Sequence, residues 1–432
     1  MNVRKALTLL ATITLFGALL TACSGKSDTS SDTASDKTEL IAWAWDPNFN
    51  IKALEVAKDN YEKENPDKID LKIVENAQDD IVQKLNTALS SGVTKGLPNI
   101  VLIEDYRAKS FLEAYPDSFF PLTDVFNAND FASYKIEASS VDGVNYAIPF
   151  DSGATGLYIR KDLLEEAGYT LDDVTNITWA QLQTIGQAIF DKTGAKLLSS
   201  DLNAGTLIRG MIQSSGKWYT KEDGATPDIA GNEAMKEAFK TIKSLREANL
   251  INIHNNWSEM LKAFNTGVVA TVPSGNWITP SITAEESQSG KWAVVPWPRQ
   301  DVATSVNASN LGGASLYVIN SDGKEAAAEF LAATFGSNVD FYKEILDQAG
   351  ALGTYKPVAE SGAYDKEVAY FGGQKIYQDF AKWSEEIPAV NYGKNTYAIE
   401  DIIVTSLQDY IGGKDLDKVL ADAQKQAETQ VK

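Results

Sequence analysis

Aromatic and hydrogen-bonding side chains directly follow three of the strands that the sequence predicts. An aromatic ring can cover an apolar ligand face, while carboxylates, amides and arginine form strong hydrogen bonds with polar ligand groups. Ligands of open α/β sheets bind beyond the carboxyl ends of the strands, where such side chains meet. These positions therefore predict a binding pocket. The residues are Trp45, Asp46, Glu104, Asp105, Arg107, Asn276 and Trp277.

The sequence gives little support for metal-ion or nucleophilic catalysis. The chain contains one histidine, His254, and one cysteine, Cys23, which are too few for a zinc site. It has no EF-hand loop, P-loop or Gly-x-Ser-x-Gly motif. His254 lies in a polar run and is expected to be a solvated loop residue. We therefore expect no cofactor, no bound metal and no enzymatic activity.

Strand and helix patterns alternate at the start of the folded region. Short apolar runs at 39–45, 69–74 and 99–103 predict buried strands, and residues 51–63 and 79–90 show helical spacing of apolar residues. This βαβαβ order predicts an α/β fold whose sheet is largely parallel and covered by helices. Of the two tryptophans in the first strand, Trp43 is expected in the core and Trp45 in the pocket.

The same patterns continue along the rest of the chain. Thr178 and Gln181 have the spacing of a capping box, so a helix is predicted to begin there, with Trp179 packed in the core. Further strands are predicted at 146–149, 157–159, 268–272, 292–295 and 316–319, and helices at 161–167, 233–248, 260–264, 324–335, 397–410 and 416–424.

Composition limits the classes of partner. The 432 residues carry a formal net charge of −20, which disfavours binding to nucleic acid and peripheral attachment to anionic lipid. The chain is long enough for two lobes, each with its own core. With a single cysteine, an intramolecular disulfide is impossible, so stability must come from packing.

The N-terminus predicts export and lipid attachment. Arg4 and Lys5 precede an apolar stretch that ends in Leu-Thr-Ala-Cys at 20–23, which resembles a bacterial lipobox. Residues 1–22 are therefore predicted to be a signal peptide, and Cys23 to carry a diacylglyceryl group and an amine-linked acyl chain. Residues 23–37 contain no large apolar side chain and are predicted to be a flexible tether. The expected location is the outer face of a bacterial cell membrane.

The order of short segments behind this leader resembles the sugar-binding and oligosaccharide-binding proteins of bacterial ABC importers (family 1 extracellular solute-binding proteins, similar to the maltose-binding protein). The resemblance runs from about Glu39 to the C-terminus. The segments that carry it are Trp43 and Trp45, KLNTALSSG at 84–92, LPNIV at 97–101, NYAIP at 145–149, GLYIRKDL at 156–163, TW at 178–179, AFNTG at 263–267, GNW at 275–277 and LGG at 311–313.

The resemblance implies a type II periplasmic-binding-protein-like fold, in which three crossovers join two α/β lobes around a ligand cleft. The crossovers are expected near 151–153, 311–313 and 349–353, each of which contains glycine. The N-terminal lobe is expected to take residues 38–151 and 313–350, and the C-terminal lobe residues 152–312 and 351–432.

The resemblance also implies a ligand and its contacts. It adds Asp151 and Asn310 beside the crossovers, and Tyr392 as a cover for a second sugar ring, while Trp277 matches the stacking tryptophan of the family. The implied function is capture of a sugar or oligosaccharide by lobe closure and its delivery to ABC permease subunits. A monomer is expected. The alternatives are a lipid-anchored glycoside hydrolase, and the same fold binding a peptide, polyamine or osmolyte.

Overall fold

A computed structural model describes residues 37–431. The strands are β1 Thr38–Ala44, β2 Ile69–Glu75, β3 Ile100–Glu104, β4 Ser140–Val141, β5 Val144–Asn145, β6 Ala147–Pro149, β7 Thr155–Arg160, β8 Leu198–Ser200, β9 Ile251–Ile253, β10 Thr271–Gly275, β11 Trp292–Pro296 and β12 Ala314–Val318. Cys23, the predicted signal peptide and residues 23–36 of the predicted tether lie outside the described residues.

Helices cover both sheets. They are α1 Lys52–Glu64, α2 Gln78–Ser90, α3 Asp105–Ala114, α4 Ser133–Ala138, α5 Lys161–Glu166, α6 Trp179–Thr193, α7 Gly205–Ser214, α8 Glu233–Glu247, α9 Trp257–Asn265, α10 Thr279–Thr283, α11 Lys324–Ala333, α12 Val339–Ala349, α13 Lys356–Glu360, α14 Ile376–Glu386, α15 Thr396–Ile411 and α16 Leu416–Gln430. Shorter helical turns span Pro47–Ile51, Ala128–Asp130, Asp172–Val174, Asn276–Ile278, Glu286–Gln288 and Ala369–Phe371. Within 37–431, no helix has the length and apolar character needed to cross a membrane.

The first sheet has the strand order β2-β1-β3-β12-β6. Its first three strands are parallel, as the βαβαβ pattern predicts. However, β12 runs antiparallel to both β3 and β6. β6 therefore runs in the same direction as β1, β2 and β3, so this sheet is largely parallel, as predicted, except for β12.

The second sheet has the order β10-β7-β11 and is antiparallel throughout. β8 and β9 form a parallel pair beside it, and a bridge between Lys196 and Val269 joins this pair to the approach to β10. The capping box at the start of α6 is confirmed. The Thr178 hydroxyl accepts from the backbone N–H of Gln181 at 3.2 Å, and the Gln181 side chain accepts from the N–H of Thr178 at 2.9 Å. Trp179 is buried, as predicted.

Alternation along the strands separates the two faces of the first sheet. Leu40, Ala42 and Ala44 of β1 face one core cluster, while Trp43 packs partly buried against the cluster on the opposite face. Trp45, which directly follows β1, packs partly buried against both clusters. The two tryptophans therefore differ less in their surroundings than predicted, since both are partly buried against core residues.

The three segments predicted as crossovers lie side by side. The backbone N–H of Ser152 donates to Leu352 O at 2.7 Å, and that of Leu311 donates to Gly153 O at 2.9 Å. The first segment leaves no room for a side chain, since a Cβ on Gly153 would lie 2.4 Å from Asn310 Oδ1 and 2.7 Å from Leu311 O. The connections between the two sheets are thus in direct backbone contact.

Candidate functional site

A cavity of about 420 Å³ lies where the end of β3 in the first sheet approaches β10 of the second. Side chains from both sheets and from helices α7, α9 and α15 line it, so elements far apart in the chain complete one site. The lining residues are Glu104, Ser199, Ser200, Asp201, Thr206, Leu207, Arg209, His254, Asn255, Asn256, Trp257, Met260, Phe264, Val269, Thr271, Val272, Pro273, Ser274, Trp277, Leu311, Gly312 and Tyr397.

Two indoles lie side by side in the wall, which Phe264 and Tyr397 also line. The ring centroids of Trp257 and Trp277 are 5.9 Å apart and their planes are inclined by 31°. The Trp277 indole N–H donates to Leu311 O at 2.8 Å, which fixes this ring against a crossover. Trp257 is held at the first position of α9 because Asn256 caps that helix through the N–H of Glu259 at 2.9 Å. Trp257 is 52% exposed, so aromatic surface remains open to a ligand.

The cation in the wall is Arg209 of α7. Its Nε and Nη2 atoms lie 2.7 Å and 3.0 Å from the two carboxylate oxygens of Glu400 on α15. The Tyr219 hydroxyl donates to the same carboxylate at 2.6 Å. The guanidinium also lies 5.0 Å from the ring of Tyr106 and 5.5 Å from the ring of Tyr397. This geometry holds Arg209 rigidly at the cavity wall.

Glu104 is the carboxylate contributed by the first sheet. The Tyr397 hydroxyl donates to its Oε2, and the Nε atom of Arg107 lies 3.5 Å from the same oxygen. The Arg107 guanidinium stacks on the Tyr397 ring at 3.9 Å. Burial raises the pKa of Glu104, against the lowering effects of Arg209, Tyr397 and Arg107. Tyr397 therefore links α15 to the end of β3 across the cavity.

His254 lies in the loop directly after β9, as expected, but it is half-buried and lines the cavity. Its Nδ1 lies 2.9 Å from the Ser199 hydroxyl, because β9 pairs with β8 and brings the two side chains together. Partial burial lowers the pKa of His254, which favours the neutral imidazole near pH 7. A neutral imidazole has one donor and one acceptor nitrogen, which suits hydrogen bonding to a polar ligand.

Comparison with known proteins identifies the family. The profile described as "Bacterial extracellular solute-binding protein" matches residues 57–372. A lactose-binding protein of Rhizobium radiobacter is 39% identical over 400 residues, covering 92% of this chain and 94% of the relative. The chain belongs to the bacterial extracellular solute-binding proteins.

Solved structures show the fold of this solute-binding protein. The GacH receptor of Streptomyces glaucescens superposes with a TM-score of 0.74 at 20% identity, covering 91% of this chain and 98% of that chain. The sugar-binding protein MalE of Xanthomonas citri superposes with a TM-score of 0.75 at 19% identity, covering 91% and 97%. The fold is the type II arrangement of two α/β lobes joined by three crossovers, as the sequence predicts.

Among the residues predicted from strand ends, Trp277 and Glu104 line the cavity of the solute-binding protein. Arg107 and Trp45 lie beside Glu104 but border a separate narrow gap of about 10 Å³ between β3, α2 and α3. Asp46 follows β1 in an exposed turn with φ of 56°, where its carbonyl accepts from the N–H of Ile51 at 3.2 Å. The structure thus brings two of these five residues into the cavity wall.

Two predicted carboxylates instead hold the crossovers. Asp105 accepts from Lys135 Nζ at 2.6 Å and from the Ser315 hydroxyl at 2.9 Å, and the side chains of Asp105 and Lys135 are both fully buried. Asp151 accepts from the N–H of Ala314 at 2.6 Å. Burial raises the pKa of Asp151 to about 6, although the Lys135 charge and the Ala314 N–H oppose the rise. Both carboxylates are engaged by groups at the crossovers, and neither lines the cavity.

The remaining predicted residues do not line the cavity either. Asn310 donates to Gly312 O at 2.9 Å and to the Tyr392 hydroxyl at 3.2 Å. The Tyr392 hydroxyl also donates to the Gln213 side-chain oxygen at 3.2 Å, and its ring packs against Tyr106 at 4.8 Å. Asn276 is buried directly before Trp277, and its Nδ2 has no hydrogen-bond partner within the described chain. These side chains support the residues that line the cavity.

Sequence reasoning missed several lining residues, chiefly Arg209, Tyr397 and the Ser199–Asp201 segment. Arg209 and Tyr397 lie inside helices, whereas the predicted pocket rests mainly on residues that follow strands. Trp257, which is exposed, also lies in the cavity wall. Within residues 37–431, no group of three or more His, Cys, Asp or Glu side chains is arranged to hold a metal ion.

Proposed function

We propose that this solute-binding protein captures an uncharged saccharide of about disaccharide size and delivers it unaltered to the permease of an ABC importer. The observation that carries the proposal is the pairing of two indoles with hydrogen-bonding side chains around about 420 Å³. This volume lies within the usual range of small-molecule sites. The lactose-binding relative, which aligns over nearly its whole length, supports the same ligand class.

The wall has the chemistry that a sugar requires. Indole faces cover the apolar C–H faces of a pyranose ring, while Glu104, Asp201 and His254 offer acceptors or donors to its hydroxyls. A few stacked rings and charge-assisted hydrogen bonds are compatible with micromolar affinity, about −8 kcal/mol. Such an affinity holds the cargo and still permits its release to the permease.

Capture proceeds by closure of two lobes about the crossovers. The lobes take residues 38–151 with 313–350, and 152–312 with 351–432. Glu104 comes from the first lobe, and Trp257, Trp277 and Arg209 come from the second. A ligand that contacts both sets favours the closed form by its difference in affinity for the closed and open states.

Export and anchoring complete the proposed function. The lipobox at 20–23 directs lipidation of Cys23, and residues 23–37 tether the protein at the outer face of the membrane. Two or more acyl chains are needed for stable anchoring. Replacing Cys23 with serine should move the protein from the membrane fraction to the medium and abolish incorporation of labelled palmitate. Membrane retention of the serine variant would contradict this part.

Thermal unfolding with a ligand panel tests the function. Lactose, maltose, arabinobiose, a tetrapeptide and spermidine should be compared, because only bound compounds raise the melting temperature by mass action. We expect a shift with at least one saccharide and recovery of that saccharide intact after overnight incubation. Shifts confined to the peptide or spermidine would overturn the ligand class. Cleavage of the saccharide would favour a hydrolase.

A further inference from the structure

Among the described residues that line the cavity, Arg209 is the only lysine or arginine. An arginine in a binding site is ordinarily the residue that recognises carboxylates, because its planar fork forms two parallel hydrogen bonds. Here the guanidinium already faces a carboxylate of the protein. Arg209 Nη2 donates to Glu400 Oε1 at 3.0 Å, and Nε lies 2.7 Å from Oε2 as an ion pair, so Glu400 neutralises the charge that a ligand carboxylate would need.

The surroundings of Glu400 keep it in this position. Glu400 is 9% exposed and takes a further hydrogen bond from the Tyr219 hydroxyl at 2.6 Å. On its other side lies Gly205, the first residue of α7, where a Cβ would come 3.2 Å from Glu400 Oε1. Three elements, α7, α15 and the segment after α7, therefore fix one carboxylate against Arg209.

We infer that Glu400 is a specificity-determining residue that acts through Arg209 to exclude saccharides bearing a carboxylate. The inference rests on the proposed function, because it concerns which saccharides the same cavity accepts. A carboxylate ligand would meet an arginine whose charge is already neutralised. It would also meet Glu104 and Asp201, which line the same cavity. Specificity of this kind comes from repulsion of the wrong ligand as well as from attraction of the right one.

Neutral saccharides avoid these costs. A hydroxyl can donate to Glu104 or accept from the N–H groups of Arg209 that Glu400 leaves available. The ion pair thus supplies polar contacts without a net charge that would attract anions. Like-charge contacts across an interface suppress wrong partners strongly, since one such contact costs several kcal/mol.

The test compares matched neutral and acidic saccharides by calorimetry. The pairs are lactose with lactobionate and galactose with galacturonate, measured on the wild type, Glu400→Gln and Asp401→Asn. Asp401 is the control, since it lies on the same helix, is exposed, and undergoes the same change in charge. We expect the wild type and Asp401→Asn to bind the neutral member of each pair about a hundredfold or more tightly than the acidic member. In Glu400→Gln this ratio of affinities should be about tenfold smaller.

Each outcome of this experiment either supports or overturns the inference. A folded Glu400→Gln variant that binds neutral saccharides with an unchanged ratio would overturn the inference and leave the proposed function intact. Equal binding of both members by the wild type would overturn it without any variant. Failure of the wild type to bind any saccharide would defeat the proposed function itself. If Glu400→Gln does not fold, Tyr219→Phe removes one hydrogen bond from the carboxylate, and an unchanged ratio in that variant counts against the inference.

Discussion

Trp277 is the residue in which the aromatic wall and the crossovers meet, since its ring lines the cavity and its N–H holds Leu311 O. Trp277→Ala should weaken binding of the saccharide identified in the thermal screen by about 2 kcal/mol, because a central aromatic contact is lost. Calorimetry checks the affinity. Trp43→Ala is the matched control, as Trp43 is partly buried outside the cavity. Equal affinities for Trp277→Ala and the wild type would reject this role.

Asp151 makes the stability of the folded protein depend on pH. Its pKa is raised by burial from 3.8 to about 6, so the folded protein binds more protons than the unfolded chain between these values. The resulting contribution to stability is greatest below pH 4 and is lost as the pH rises through 6. The other charged groups facing Asp151 are Asp105 and Lys135.

Asp151→Asn removes this titration and keeps an oxygen for the Ala314 N–H. The stability of Asp151→Asn relative to the wild type should therefore be greater at pH 7 than at pH 4. This relative unfolding free energy should change by up to about 3 kcal/mol between the two pH values. Thermal unfolding at the two pH values checks it. A difference that is the same at both pH values would show that Asp151 does not titrate in this range.

At the scale of elements, a side-chain amide forms hydrogen bonds with the backbone at the edge of the second sheet. β11 is an edge strand, and the Gln374 amide pairs with both the N–H and the C=O of Val294, as another strand would. Gln374→Ala should lower the unfolding free energy by about 1–2 kcal/mol and expose an edge that promotes association. Urea unfolding and light scattering check this. Gln378→Ala, on the exposed side of α14, removes only a solvent-exposed hydrogen bond to Asp365 and should leave both nearly unchanged.

Elements were easier to predict than the site. Local signals define β1 to β3, α1, α2 and the capped start of α6, and the structure places these within a residue or two of the predicted bounds. β10 was placed three residues too early, because Pro273 reads as a strand breaker. The proline is tolerated because β10 is an edge strand that needs no N–H there.

The cavity wall depends on pairs that no local pattern reveals. Arg209 and Glu400 are separated by 191 residues, and Tyr397 and Glu104 by 293. Each belongs to a helix or strand end whose own sequence is unremarkable. Of the predicted carboxylates, Glu104 lines the cavity, whereas Asp105 and Asp151 form hydrogen bonds with buried groups at the crossovers. Burial and partners of this kind are set by the tertiary fold.

At the scale of the whole molecule, the proposed lobe closure would bend crossovers that are in direct backbone contact. Gly153→Ala would place a methyl group 2.4 Å from Asn310 Oδ1, so the first two crossovers would have to separate. We expect a lower melting temperature and a smaller decrease in radius of gyration on saccharide addition, measured by small-angle scattering. Gly231→Ala is the control, because its Cβ would meet its nearest atom at 3.8 Å. Identical scattering changes in both variants and the wild type would contradict this.

The contact between Tyr397 and Glu104 has a consequence for biogenesis. Chains are synthesised from the amino end, so Glu104 at the end of β3 is made 293 residues before Tyr397 of α15. The part of the cavity wall that these two residues complete therefore cannot form until nearly the whole chain has been made.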